Sequence, residues 1–310
     1  MVIDRQHNGF WLHGVPCPLC GANHYTTRFP ATRKASAPDA SHFCCTNSHL
    51  GQHGDIVECL ECGMAYNNPQ IDAAALAALY RDVEDPRYLE EQAGRRLTFR
   101  KSLEQLQQFR RPPGRLLDVG CYTGAFLRVA ADASWEVCGF ELSAWAAGMA
   151  SAAGFPNIYG GELRQMPLEP ASLDAATLWD VIEHLPAPAE TLDDVARFLK
   201  PGGLLAISTH LIDSLPARLM GRRYPFFMEM HVVHFSRQTM RRMLAEHHFE
   251  PLAFLPHYRV IRAAYFLEKL QSLLPFGKRL LSPLLRQSFW QEKTVTISWS
   301  GLSNIFARRV

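Results

Sequence analysis

The chain has 310 residues, 47% of them hydrophobic, enough to bury a full core and too apolar for a disordered tail. Its 32 basic and 30 acidic residues leave a formal charge of +2, so nothing in the overall balance calls for a polyanionic partner, and no nucleic acid is expected. Nowhere do 18 consecutive apolar residues occur, and the opening MVIDRQHNGFWLHGV lacks the apolar run of a signal peptide, so a cytoplasmic protein without a spanning helix is expected.

The first region, residues 1–69, is rich in Cys, His, Asn, Pro and Gly and shows almost no helical periodicity. Six of the eight cysteines fall here, and a disulfide framework is improbable in a cytosolic chain of this size. Cys17-Pro-Leu-Cys20-Gly21 and Cys59-Leu-Glu-Cys62-Gly63 are two CxxCG knuckles, a spacing that lets paired thiolates grip one Zn²⁺ while glycine permits the sharp turn. Cys17, Cys20, Cys59 and Cys62 are therefore expected to hold a structural zinc in a small zinc-ribbon-like module. With four protein ligands the ion has no open position and stabilises fold instead of performing chemistry. The long separation between the knuckles predicts a loop or an extra hairpin, in which His42, Cys44, Cys45, His49 and His53 read as solvated.

A helical connector follows over residues 70–113. Ala73, Leu76, Leu79 and Tyr80 are spaced for one apolar face, and Leu97, Leu103, Leu106 and Phe109 for another, before Arg110-Arg111-Pro112-Pro113-Gly114 breaks the chain. From there apolar runs alternate with helical stretches (LLDV, FLRVAADA, VCGFE, AWAAGMASAA, ATLWDV, TLDDVARFL, LLAIST). That alternation predicts βαβ units and a parallel sheet covered by helices on both faces, in a domain spanning 114–310. Toward its end, Tyr265 to Leu285 reads as short amphipathic helices broken at Pro275 and Pro283, a helical insertion at about 260–290. Thr294 to Trp299 alternates like a strand, with Asn304 to Arg308 as its continuation or hairpin partner.

Residues Leu116 to Leu127, LLDVGCYTGAFL, predict a strand, a tight glycine loop and a helix start, the place where open α/β sheets bind cofactors. Gly120 and Gly124 bracket the loop, Asp118 ends the strand, and Glu141 follows a second strand at the distance where an acidic side chain meets ribose hydroxyls. Gly120-Cys121-Tyr122-Thr123-Gly124 lacks the middle glycine that admits a dinucleotide pyrophosphate, which disfavours NAD. Cys121 reads as a small residue filling the turn, since nothing nearby in sequence would activate its thiol.

D-V-G-C-x-x-G resembles motif I of class I S-adenosyl-L-methionine-dependent methyltransferases. Gly161-Glu162-Leu163 with Met166-Pro167 resembles their adenine-flanking stretch, Leu178 to Leu185 (LWDVIEHL) their motif after strand 4, and Leu199-Lys200-Pro201-Gly202-Gly203 the turn before strand 5. The resemblance covers roughly Arg115 to Thr209 and implies a Rossmann-like doubly wound, mostly parallel seven-stranded sheet. It also implies that Asp118, Gly120, Cys121 and Gly124 shape the methionine end of the cofactor pocket. Glu141, with Leu142 beside it, would hold the ribose, Glu162 and Leu163 would border adenine, and Asp180 would lie near the sulfonium.

A sulfonium methyl is already activated, so the protein has mainly to align donor and acceptor and remove a proton. Asp180, Glu183 and His184 share one face if their segment turns helically before Pro186, and His231 and His234 follow a hydrophobic run. His184, His231 and His234 are the candidate bases. An alternative is a divalent metal held by Glu183, His184 and a later histidine. This resembles the metal-assisted O-methyltransferases of quinone biosynthesis and of small-RNA ends, whose motif is E-x-x-E-H. Here Asp180 replaces the first Glu, and the later histidine spacing differs.

A Cys-knuckle module ahead of a methyltransferase domain resembles the sugar C-methyltransferase group of glycan and secondary-metabolite pathways, which implies a small-molecule or glycan acceptor such as a nucleotide-linked or lipid-linked sugar. A nucleic-acid acceptor guided by the zinc module is a further alternative, weakened by the few Lys and Arg of residues 1–69. Phe266, Leu270, Leu273, Leu274, Phe276, Leu280 and Leu281 beside Lys278, Arg279 and Arg286 would permit peripheral membrane contact through 265–286, or would cap the site. Neither acceptor atom nor oligomeric state follows from the sequence.

Overall fold

The computed structural model describes residues 5–7, 10–32, 39–47, 49–264, 266–267 and 293–310. Six short strands come first: β1 (Arg5–His7), β2 (Phe10–His13), β3 (Tyr25–Phe29), β4 (Ile56–Cys59), β5 (Ala65–Asn67) and β6 (Gln70–Ile71). The helices α1 (Ala73–Arg81), α2 (Arg87–Glu90) and α3 (Gln92–Leu106) follow. The alternating part runs β7 (Gly114–Val119), α4 (Ala125–Asp132), β8 (Trp135–Phe140), α5 (Ala144–Ala152), β9 (Ile158–Tyr159), β10 (Leu173–Trp179), α6 (Pro188–Phe198) and β11 (Leu199–His210). Then come α7 (Leu215–Met220), β12 (Val233–His234), α8 (Arg237–Glu246), β13 (Phe249–Arg262) and β14 (Thr294–Arg309).

Local chemistry sets the helix starts. The Asp72 carboxylate accepts from the Ala74 and Ala75 amides, Ser143 from Ala146, and Ser236 with Thr239 closes a reciprocal cap on α8. Pro188 opens α6, where its missing N–H costs nothing.

Seven strands form one sheet in the order β13-β14-β11-β10-β7-β8-β9. β14 pairs antiparallel with β11 and β13, whereas β11, β10, β7, β8 and β9 pair in parallel. This is the expected doubly wound, mostly parallel sheet, and Asn304 to Arg308 continues the strand begun at Thr294. Adjacent residues point to opposite layers, as the two-residue period of a strand requires. Leu117, Leu178 and Leu205 pack in one core with Leu192 and Val195, and Leu116, Ala175 and Leu204 in the other with Leu103, Leu106 and Phe126. All seven residues of β10 are buried. Each such leucine contributes about 1.5–3 kcal/mol against its exposed state.

The sheet reverses its strand order between β7 and β10, so their carboxyl ends open a crevice there. A second sheet, β12-β5-β4-β3, joins the knuckle strands to β12, far later in the chain. The segment between the knuckles carries β3 and a tight turn, Ala40–Phe43, as the expected hairpin with a long loop. His53 is fully buried there, contrary to its reading as a solvated loop residue, because its ring packs edge-on against Phe227.

The face of α3 also differs from expectation. Leu97 and Phe109 are each 38% exposed. The buried face instead carries Gly94, Thr98, Ser102 and Gln105 beside Leu103 and Leu106, because it packs on strand backbone. Thr98 bonds both Val260 backbone groups, Gln105 Nε2 donates to Pro256 O, and a side chain at Gly94 would meet Val260 O at 2.7 Å. The proposed amphipathic segment 265–286 lies almost wholly outside the described residues. No helix among the described residues is long and apolar enough to cross a membrane.

Candidate active site

The turn after β7 is built by close approach. Gly120 has φ +72°, and a Cβ there would stand 2.5 Å from Val181 Cγ2; Gly124, at φ +77°, faces Phe155 and starts α4. The Gly120 and Cys121 amides both donate to Phe140 O, at 2.7 and 3.1 Å. Cys121 is buried, its Sγ filling the space beside Gly139, and burial pushes its thiol well above the ordinary range, as a turn-filling residue requires.

Glu141 clamps the loop from β8. Its Oε2 accepts from the Tyr122 amide at 2.8 Å and its Oε1 from the Ser143 amide at 2.7 Å, while burial raises its pKa. Leu142 is half-buried against the core. Asp118 accepts from the Thr177 hydroxyl at 2.6 Å, and burial pushes its carboxyl up to about 8. Leu163 is buried, whereas Glu162 is exposed and accepts from Arg164 and Gln165.

Asp180 adopts φ +55°, stabilised by Ser208, which accepts from its amide and donates to its carboxylate. Its other oxygen accepts from Arg259 at 2.8 Å. Although burial alone would raise its pKa, Arg259 and His257 hold it well below the carboxylate range. The side chain of Asp180 is thereby engaged by Ser208 and Arg259, while Glu183 and His184, in the tight turn Ile182–His184, converge with His231.

One ligand atom from each of Glu183, His184 and His231 lies within 4.8 Å of the others. His231 Nδ1 donates to Phe226 O at 2.6 Å, leaving Nε2 as a lone pair. The Tyr80 hydroxyl stands 2.8 Å from His184 Nδ1 and 3.5 Å from Met230 O; with the proton on His184 Nδ1, its Nε2 is a lone pair too. Burial drives both imidazoles toward neutrality, His231 down to about 4 and His184 well below its ordinary range, and raises Glu183 to about 7. Glu183 Oε2 is buried with no hydrogen-bond partner among the described residues. Two neutral imidazoles and a carboxyl with one orphaned oxygen fit a divalent ion. His234 stands behind this group, fully buried between His210 and Asn67.

The sequence reading missed Tyr80, His210 and Arg259. His210 carried a usable signal, an imidazole at the carboxyl end of a parallel strand beside the switch point. Cys45 is exposed, in keeping with its reading as a solvated loop residue. Its loop is pinned by Thr46, which donates to Asp85 from both amide and hydroxyl.

In the knuckles, Cys17 Sγ lies 3.5 Å from Cys62 Sγ, and Cys20 Sγ 3.6 Å from Cys59 Sγ. These separations are too long for disulfides and match the edge of a tetrahedron of sulfurs ~2.3 Å from one ion, ~3.8 Å. The two knuckles are built alike, with Gly21 and Gly63 donating to the carbonyls of Cys17 and Cys59 at 2.9 Å, at φ +71° and +73°.

Fold and cleft together are those of a methyltransferase-type domain. The chain belongs to the methyltransferase-domain family, whose model matches residues 89–253, more than half of its length. It is similar to the ubiquinone biosynthesis O-methyltransferase of Paracidovorax citrulli, 35% identical over 102 residues that make up 31% of this chain and 43% of that one. The Xylella fastidiosa protein of the same name is 33% identical over 101 residues, 31% and 41% of the two chains. The chain thus spans less than half the length of the curated relatives it matches. Among solved structures, an S-adenosyl-L-methionine-dependent methyltransferase from Thermotoga maritima aligns over 69% of this chain and 89% of its own, at 19% identity and TM-score 0.46.

Proposed function

We propose that the protein methylates an oxygen of a small molecule, assisted by a divalent cation at Glu183, His184 and His231. The convergence of these three side chains within 4.8 Å carries the reading, and the name of the Paracidovorax citrulli relative supports it. Gly120, Cys121 and Gly124 bring backbone against the methyl donor, with Asp118 beneath them. Glu141, with Leu142, holds the ribose hydroxyls through the lone pairs its two amide bonds leave unused. Leu163 covers adenine, Glu162 borders it at the rim, and Asp180, tied to Arg259, sets the negative charge near the sulfonium.

His184 and His231 present their Nε2 lone pairs to the acceptor side, Tyr80 and the Phe226 carbonyl keeping those nitrogens unprotonated. A bound cation there supplies Lewis-acid charge that eases loss of the acceptor's hydroxyl proton. Without an ion, the same imidazoles serve as the base. His234 supports them from the core. Cys17, Cys20, Cys59 and Cys62 hold a structural Zn²⁺.

The test incubates purified full-length chain with S-adenosyl-L-methionine and a panel of catechols and nucleotide sugars, with divalent ions withheld and added back, and measures S-adenosylhomocysteine. Ion-dependent methylation of catechols is expected. Turnover of nucleotide sugars that ignores added ions would overturn the proposal in favour of the sugar acceptor that the Cys-knuckle resemblance implies.

A further inference from the structure

Behind Glu183, His184 and His231 a line of buried polar groups runs into the four-stranded sheet. Asn67 Oδ1 lies 3.1 Å from His234 Nε2, and His234 Nδ1 lies 3.2 Å from His210 Nε2. Both imidazoles are fully buried, and Asn67 nearly so. An amide oxygen only accepts, so His234 carries its proton on Nε2 and its Nδ1 is a lone pair. His210 Nε2–H donates to that lone pair. A neutral imidazole has a single N–H, so His210 Nδ1 is itself a bare lone pair.

That nitrogen has no hydrogen-bond partner among the described residues. It stands 3.8 Å from Glu183 Oε1, and its ring stacks on His231 with centroids 4.9 Å apart. Two desolvated electron-rich atoms face each other across a gap a little wider than the ~3–3.5 Å between neighbouring donors on one ion ~2.1 Å away. A buried polar atom left in this way is costly unless something positive completes it.

We propose that His210 becomes the fourth donor of the cation site: its Nδ1 stands beside Glu183 but outside the group of donor atoms that lie within 4.8 Å of one another, so a bound ion would have to draw it in, and His234 and Asn67 hold it in the donor tautomer. The inference rests on the cation reading above. Three imidazoles and one carboxylate make a nitrogen-majority site, which suits Zn²⁺, Co²⁺ or Fe²⁺ and disfavours Mg²⁺, an ion that prefers oxygen and water. Asn67 belongs to β5 of the knuckle sheet, so the cysteine module sets a donor's tautomer in the methyl-transfer site.

The test titrates Co²⁺ into the full chain with its four-cysteine site already filled with Zn²⁺, reading visible absorption and calorimetric affinity, with zinc content checked before and after. The wild type is expected to bind one Co²⁺ that a hundredfold excess of Mg²⁺ does not displace. His210→Phe keeps a ring in the stack, weakens binding about tenfold or more and changes the absorption bands. Asn67→Leu, which leaves every ligand in place, is expected to weaken binding about tenfold, and Asn67→Asp, still an acceptor for His234, to restore it. If His210→Phe fails to fold, the Asn67 pair decides. A wild type that binds no Co²⁺ overturns the cation reading itself. Wild-type affinity and spectrum in both His210→Phe and Asn67→Leu overturn the role of His210 and leave the three-donor site standing.

Discussion

Asp118→Asn replaces an ionisable acid whose charged form burial opposes and keeps the one hydrogen bond the structure gives the side chain, from Thr177 at 2.6 Å. Only 2% of Asp118 is exposed, and its carboxyl is pushed from 3.8 to about 8 by desolvation, the Thr177 hydroxyl pulling the other way. The folded chain therefore binds a proton here that the unfolded chain releases above pH 4. A raised folded pKa contributes stability that is fully present below about 4 and is lost as pH rises toward about 8. At pH 7 the wild type has lost about three pKa units of it, on the order of 4 kcal/mol. Asparagine carries no such dependence. The variant without cofactor should match the wild type near pH 4 and exceed its stability by a few kcal/mol at pH 7 to 8, about 5 °C or more in Tm. Denaturant melts across that range measure it. A stability difference that does not vary between pH 4 and 8 would refute the account of Asp118 as a protonated, desolvated acid.

Gly120→Ala places a Cβ 2.5 Å from Val181 Cγ2 at φ +72°, so it should cost about 1–3 kcal/mol in thermal unfolding and lower affinity for S-adenosylhomocysteine in calorimetry at least tenfold. Glu183→Gln keeps the shape of the site but removes its charged donor; Co²⁺ affinity should fall by more than tenfold while cofactor affinity stays within a factor of three. Cys59→Ser opens the four-sulfur cluster and should release about one zinc per chain by metal analysis, with earlier proteolysis of residues 10–71. Tyr80→Phe removes the hydroxyl 2.8 Å from His184 Nδ1, and should lower Co²⁺ affinity about tenfold without shifting cofactor affinity.

The features legible in the sequence were those whose chemistry is local. The knuckle cysteines are three residues apart within each pair, and the glycines at 120 and 124 shape a single turn, so their spacing alone carried the geometry. Contacts across the chain were not legible. Tyr80 and His184 are 104 residues apart, and Asn67 and His234 are 167 apart, with nothing in either neighbourhood to announce the pairing. β13 escaped notice for another reason. It contains Pro251 and Pro256, which argue against a strand, yet it is an edge strand whose register slips beside each proline, the places where a missing N–H is tolerated. The polar face of α3 defeats hydrophobic periodicity because its partners are backbone groups of β13 and the Asn304 side chain.

The cysteine module is knit into the methyl-transfer site through main chain as well as through Asn67. Tyr66 and Ala65 of β5 pair with Val233 and His234 of β12, and the Asn67 amide donates to Val232 O. Val232 in turn donates to Glu183 O, so one ladder of backbone bonds runs from the strand after Cys59 to the residue that faces the ion site. A zinc at the four cysteines would have no open coordination position and could take no part in chemistry, but it would fix the turn from which β5 emerges. If the module served only as an appended interaction surface, β5 would have no reason to supply both an edge for β12 and an acceptor for His234. A zinc held at the four cysteines would keep β5 rigid beside the site proposed to transfer methyl groups.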